Sequence, residues 1–366
     1  MSLDLTPLDA ATLSPAAQRA LGAGPGRMMA SKGMLPLPPA DQVAVLYQLA
    51  LDADTILAST ARATANGLPE KLLVGTLADP ALDPRVLHFF GEMFAGKPAV
   101  FDAVVLNPAA SDPTIALLAS KAGAREVDQI AQNEQRLLRH PEIIAGMYMN
   151  RNARMSTIDR VVELAVRNNV RVPGIACWDE VARALTGSSA NDDATFEQMA
   201  AVVVGADDSA LLTGDANQPL PEHDDEDEEE PKLFRDQSIP VKIRLVTLGN
   251  AQARAEGIRD PIKLVAIAAI KSPGVTDIEA ARYANNPALA EEVIRYISIK
   301  REWTKLYGVK VSLCRNPKTP IPEAMKLLPF LREKDLVNIS KSRGVPSALV
   351  TQAKKLISQR KGGSGK

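Results

Sequence analysis

The chain has 366 residues, 46% of them hydrophobic and only 4% aromatic, with a formal net charge of −1. Two isolated cysteines argue against a disulfide framework, and three scattered histidines without His-Glu-x-x-His or i, i+4 spacing argue against a helical zinc site. Apolar runs fall far short of the ~20 residues of a membrane span, and plentiful Ala, Leu and Val with few aromatics favour packed helices over a β-sandwich, so an all-α, non-membrane protein is expected.

Residues 1–40 lack a basic segment followed by an apolar one, and the glycines at 22, 24 and 26 with four prolines over 22–40 predict an extended N-terminal arm. With no leader and no paired cysteines, a reducing, cytoplasmic location is expected.

Residues 41–186 read as a lobe of short helices. Ser14-Pro15, Asp79-Pro80, Asp83-Pro84, Asn107-Pro108 and Asp112-Pro113, and later Asp260-Pro261, Ser272-Pro273, Asn286-Pro287 and Asn316-Pro317, each set a capping side chain before a proline, which predicts helix starts. Phrases recur. Asn107-Pro108 precedes Pro113 as Asn316-Pro317 precedes Pro322, and segments ending Leu68-Pro69, Val172-Pro173 and Val345-Pro346 each follow an amphipathic stretch. Degenerate repetition of this kind is what helical arrays leave in sequence, because each unit buries its face on the next.

Residues 187–231 are rich in Ser, Asn, Asp and Pro, with one helix expected near 195–204, and predict a flexible linker. Within it, Glu222-His223-Asp224-Asp225-Glu226-Asp227-Glu228-Glu229-Glu230 places eight carboxylates in nine positions. Before this run stand 17 Lys/Arg against 25 Asp/Glu, and after it 26 against 11. The run lacks the alternating ligands and central glycine of a calcium loop, so no metal is assigned to it. A hinge is the plain reading, and a decoy that competes for the basic lobe is the alternative.

Residues 232–358 form the basic lobe, with 359–366 as a tail. Val309-Lys310-Val311-Ser312-Leu313-Cys314-Arg315-Asn316-Pro317-Lys318-Thr319-Pro320 resembles the phrase of leucine-rich-variant repeats, a basic valine-rich helix running into Asn-Pro-x-Thr-Pro. Arg259–Ala266 and Ile270–Pro273 look like looser copies, and the stretch from about 241 to 357 is similar to a group of uncharacterised bacterial proteins with Lys-Arg-Glu-Trp and Asn-Pro-Lys-Thr-Pro phrases. The resemblance covers about a third of the chain and implies a HEAT-like α-solenoid without bringing an activity. The expected architecture is therefore all-α, a HEAT-like solenoid in two lobes joined by a disordered acidic linker.

One candidate surface stands out. Lys300, Arg301, Lys305, Lys310, Arg315 and Lys318 surround Trp303 and Tyr307, and on a helix starting near Val293 the residues Lys300, Trp303 and Tyr307 would share a face. Such a face could grip an anionic partner and stack on a base. A second basic cluster follows at Lys341, Arg343, Lys354, Lys355, Arg360 and Lys361. The bland alternative is that the charges coat a helical array while Trp303 and Tyr307 pack inward.

Catalytic groups are scarce. His88 lies in an apolar run, His140 in a turn before Pro141, and His223 in the acidic run, while Cys177 and Cys314 read as packed apolar groups. Gly22-Ala23-Gly24-Pro25-Gly26 lacks the Gly-Lys-Ser/Thr ending of a phosphate loop, and the Asn338-Ile339-Ser340 sequon is expected to be silent. No cofactor is implied. The leading reading is a non-enzymatic scaffold or adaptor that binds a protein partner through its helical surfaces. A nucleic-acid-binding protein that uses residues 232–361 is the alternative. A glycosylase built on Glu302 beside Trp303 is a distant third.

Overall fold

The computed structural model describes residues 5–22, 24–184, 196, 234–342 and 344–363, with residues 361–363 as backbone only. Among them all regular structure is helical, with 23 α-helices and no strand. The chain divides into two compact units, Met1–Ile175 and Ala176–Lys366.

Unit 1 opens with a 3₁₀ turn (Ala10–Thr12), followed by α1 (Pro15–Leu21), α2 (Pro25–Ser31), α3 (Pro39–Ala50), α4 (Thr55–Asn66), α5 (Glu70–Leu77) and α6 (Pro84–Met93). It continues through α7 (Pro98–Val105), α8 (Asp112–Lys121), α9 (Ala124–Ile130), α10 (Glu134–Arg139), α11 (Glu142–Met149) and α12 (Met155–Arg167). The expected extended arm is a correction: α1 and α2 form there and pack on α3 and α4. Prolines at their first positions start these helices without losing a hydrogen bond, and Ala17, Ala20 and Ala30 supply buried contacts. Unit 1 repeatedly packs a helix on its next-but-one neighbour, as in α5 on α7, α6 on α8 and α7 on α9. Every third or fourth residue faces inward, as Ile158, Val161, Val162 and Ala165 do on α12.

Unit 2 comprises α13 (Trp178–Ala184), α14 (Ile239–Leu248), α15 (Ala251–Gly257), α16 (Lys263–Lys271), α17 (Asp277–Asn285), α18 (Glu291–Ile299) and α19 (Arg301–Thr304). Then come α20 (Tyr307–Arg315), α21 (Ile321–Leu327), a 3₁₀ turn (Leu328–Phe330), α22 (Glu333–Lys341) and α23 (Ser347–Gly363). Here too α14 packs on α16, α16 on α18, α18 on α21, and α20 on both α17 and α22. Two sequence boundaries move. Helix α13 belongs to unit 2, where the Glu180 carboxylate accepts from Lys271 Nζ at 3.1 Å, and α23 runs to Gly363 where a tail was expected. The linker and the acidic run lie outside the described residues, apart from Phe196, whose buried ring sits 4.2 Å from the Arg244 guanidinium.

The polar-proline pairs divide into two classes. Ser14-Pro15, Asp83-Pro84 and Asp112-Pro113 do open helices, the Ser14 hydroxyl accepting from Ala17 N–H and the Asp83 carboxylate from Arg85 N–H. Asn107, Ser272, Asn286 and Asn316 instead follow helices and fold turns, which corrects the helix-start reading.

Three buried asparagines then act alike. Asn107 donates to the carbonyls of Leu77 (2.8 Å) and Asp79 (2.9 Å), at sequence separations of 30 and 28. Asn150 donates to Ala119 and Ala122 (both 2.8 Å), 31 and 28 residues back. Asn316 donates to Ala284 (2.8 Å) and Asn286 (3.2 Å), 32 and 30 residues back. Each also accepts from the N–H two residues on, at 2.8–3.0 Å. A helix end leaves carbonyls without intrahelical partners, and one amide side chain here satisfies two of them while fixing its own turn.

Candidate functional site

The residues expected to form one basic-aromatic face lie on three separate elements. Helix α18 ends at Ile299, Lys300 follows it as the C-cap, and Trp303 sits in the one-turn helix α19. Tyr307 opens the separate helix α20, so the single-helix register from 293 to 307 does not hold. The cause lies in the Leu306 backbone, which is extended (φ −70°, ψ 129°) and separates α19 from α20.

Trp303 is 2% exposed and meets Tyr296 edge-on at 6.1 Å, with the Lys300 ammonium 3.9 Å above its ring and 3.9 Å from Glu302. This is core packing with a cation lid, leaving no open indole face. Arg301, Lys305 and Arg315 are exposed. Lys318 turns back to donate to the carbonyls of Ala288 (3.1 Å) and Leu289. In the second cluster Lys341, Lys354 and Lys355 are exposed, while the Arg343 and Lys361 side chains lie outside the described residues.

Lys310 and Tyr307 meet at a place the sequence did not single out, the 3₁₀ turn Leu328–Phe330. Leu328 and Leu331 bury themselves in the terminal core with Cys314, Ala324, Leu336 and Ile339. Phe330 falls outside that i, i+4, i+7 spacing and stands 66% exposed. The Lys310 ammonium lies 5.4 Å from its ring centre. The Arg332 guanidinium lies 4.7 Å over the Tyr307 ring. The Tyr307 hydroxyl donates to Asp335 and accepts from Arg332 N–H at 2.9 Å; burial, then the Asp335 carboxylate, raises its pKa above the ordinary phenol value. From α23, Arg360 donates to the carbonyls of Leu331 (2.7 Å) and Pro329 (2.6 Å). Proline before the phenylalanine, a break in apolar phase and arginine two residues on were the available signals.

In unit 1 a groove of about 550 Å³ runs past the end of α7 to the start of α10. Val105, Leu106, Ile115 and Ile130 supply apolar surface, Leu106 being 72% exposed, and Gln129, Gln132 and Gln135 supply amides. Its one cation, Arg136, is already held by Asp112 at 2.8 Å and by the Ala110 carbonyl.

Among the described residues, the histidines and cysteines are packed or paired within the fold. His88 is buried, its Nδ1 lies 2.9 Å from the Thr114 hydroxyl, and burial lowers its pKa. Burial pushes the Cys314 thiol up to about 12 and raises that of Cys177, which sits 3.5 Å from the Thr247 hydroxyl. His140 lies 3.4 Å from Glu142, and Glu302 is exposed beside Lys300 at 3.9 Å. Among the described residues no three His, Cys, Asp or Glu side chains gather as metal ligands, and no helix is long and apolar enough to cross a membrane.

The chain matches no protein-family model, no curated protein and no solved structure.

Proposed function

We propose that the chain is a non-enzymatic adaptor: a HEAT-like helical-repeat protein, in two lobes, that holds a polypeptide partner on a helical surface. The recurring asparagine tie, which each time reaches back about 30 residues, and the next-but-one packing of helices support the repeat assignment. The raised thiol pKa values of Cys177 and Cys314 and the occupied ring of His88 support a binding role over a chemical one.

The observation that carries the protein-partner reading is the unit 1 groove. Its apolar side chains suit an apolar side chain of the partner, and its three glutamines each offer a donor and an acceptor to a peptide backbone. With Arg136 already neutralised, the groove has little to offer a polyanion.

Replacing Leu106 by a photo-crosslinking phenylalanine analogue in cells tests this. Polypeptide adducts from position 106, lost on adding Gln132→Glu and Gln135→Glu, are the expected result. Ile56, 67% exposed elsewhere in unit 1, is the control position. Equal crosslinking from positions 56 and 106, or adducts with nucleic acid alone, would remove the proposal.

A further inference from the structure

The turn at Leu328–Arg332 gathers charge that its own chain leaves unneutralised. Lys310, Arg332 and Arg360 come from α20, the turn and α23, yet among the described residues none forms an ion pair with a carboxylate. Some exposed cations of unit 2 are matched, as Lys263 is with Glu292 (2.6 Å), Arg295 with Glu291 (2.9 Å) and Lys326 with Glu323 (2.8 Å), whereas Arg301, Lys305, Arg315, Lys341, Lys354 and Lys355 are exposed single charges on other surfaces. The nearby acids do not change this. Asp335 keeps its charge while accepting from the Tyr307 hydroxyl but forms no ion pair with these three cations, and Glu333 is exposed at the start of α22.

Between these cations stands Phe330, a large aromatic ring with two thirds of its surface in water. Nothing in the fold needs it there, since Leu328 and Leu331 complete the core on either side. Beside it the Arg332 guanidinium, planar and backed by Tyr307, offers a second flat face. Three cations around two flat π-surfaces match a ligand that alternates phosphates with planar rings. An acidic peptide would satisfy the charge and leave the ring faces unused. A duplex would present phosphates and hide its base faces.

We infer that Phe330, Lys310, Arg332 and Arg360 form a binding site for single-stranded nucleic acid, with an unpaired base on the Phe330 ring and flanking phosphates on the three cations. The site lies within unit 2 and stands independently of the unit 1 groove.

Fluorescence anisotropy with the full chain and a labelled oligo-dT or oligo-U, at two salt concentrations, tests it. Saturable binding is expected to weaken about 10-fold in Phe330→Ala, the scale of one lost base stack, and to recover in Phe330→Trp. Lys310→Gln combined with Arg332→Gln should flatten log Kd against log salt by roughly 1.4, at ~0.7 per phosphate contact on a single strand. Phe330 and Lys310 lie outside the core, so unchanged circular dichroism and melting temperature are expected to accompany these losses. A polyglutamate peptide that displaces the oligonucleotide as well as unlabelled oligonucleotide does, together with an unaffected Phe330→Ala variant, would overturn the inference in favour of an acidic protein. Absence of saturable binding at low salt would overturn it outright.

Discussion

Replacing Asn316 by alanine should cost unit 2 far more than an ordinary turn substitution. The side chain is 4% exposed and makes three hydrogen bonds, two to carbonyls of the preceding turn and one from Lys318 N–H. Alanine leaves all three backbone groups without that partner in a site closed to water. At a net value of roughly 1 kcal/mol per hydrogen bond, the loss is about 3 kcal/mol. With a urea slope of roughly 2 kcal/mol/M the midpoint should fall by about 1.5 M. Both tryptophans, Trp178 and Trp303, are buried in unit 2, so tryptophan emission follows that unit alone. Asn286 provides the internal control. It is half-buried and its side chain accepts only from Ala288 N–H at 2.9 Å, so Asn286→Ala should cost less than about 1 kcal/mol. Asn107→Ala should lower the stability of unit 1, seen by circular dichroism, while leaving the tryptophan transition in place. Equal midpoint shifts for Asn316→Ala and Asn286→Ala would refute the idea that the tie carries a distinct share of stability.

Glycine positions give opposite expectations: a Cβ on Gly257 would lie 2.2 Å from Val246 Cγ1, so Gly257→Ala should destabilise by about 1–3 kcal/mol and Val246→Ala should partly rescue it in chemical denaturation. Gly75, exposed inside α5 with no atom within 4 Å of its added Cβ, should become stabilising by about 0.5–1 kcal/mol as alanine. His88 has a lowered pKa from burial, so the unfolded chain takes up its proton first. Stability should fall as pH drops below about 6.5, and Gln at position 88 should remove that part of the slope measured by thermal melting. Both thiols should resist an aromatic disulfide reagent in the native protein and react only as fast as the chain opens, because burial keeps them protonated.

The all-helical class was legible from composition and period, because low aromatic content and three-to-four-residue apolar spacing leave little room for sheets. The asparagine turns were legible only where proline accompanies the asparagine. Asn107-Pro108 and Asn316-Pro317 announced themselves, whereas Asn150-Arg151 performs the same bonding without that mark. The function of those asparagines was misassigned because a short polar side chain before proline caps a helix start and folds a turn equally well; the choice depends on carbonyls about 30 residues away. The basic surface was placed on Trp303 because charge and aromaticity are local properties. Whether a ring faces in or out depends on Tyr296 and on the break at Leu306, both tertiary facts. Phe330 shows the converse: as one more apolar letter in Leu327-Leu328-Pro329-Phe330-Leu331, its exposure emerges only when the 3₁₀ turn takes it out of helical phase.

The asparagine tie also bears on how such a chain can change in length. A tie that spans 28 to 32 residues constrains the number of residues between the asparagine turn and the helix end it bonds. A short insertion inside one interval must either bulge into solvent or strip two carbonyls of a helix end of their partner. Duplication of a whole interval copies donor and acceptors together and leaves every tie intact. Growth by complete intervals therefore preserves the ties where growth by a few residues does not, and the buried amide acts as a ruler of chain length as well as a clamp for the fold.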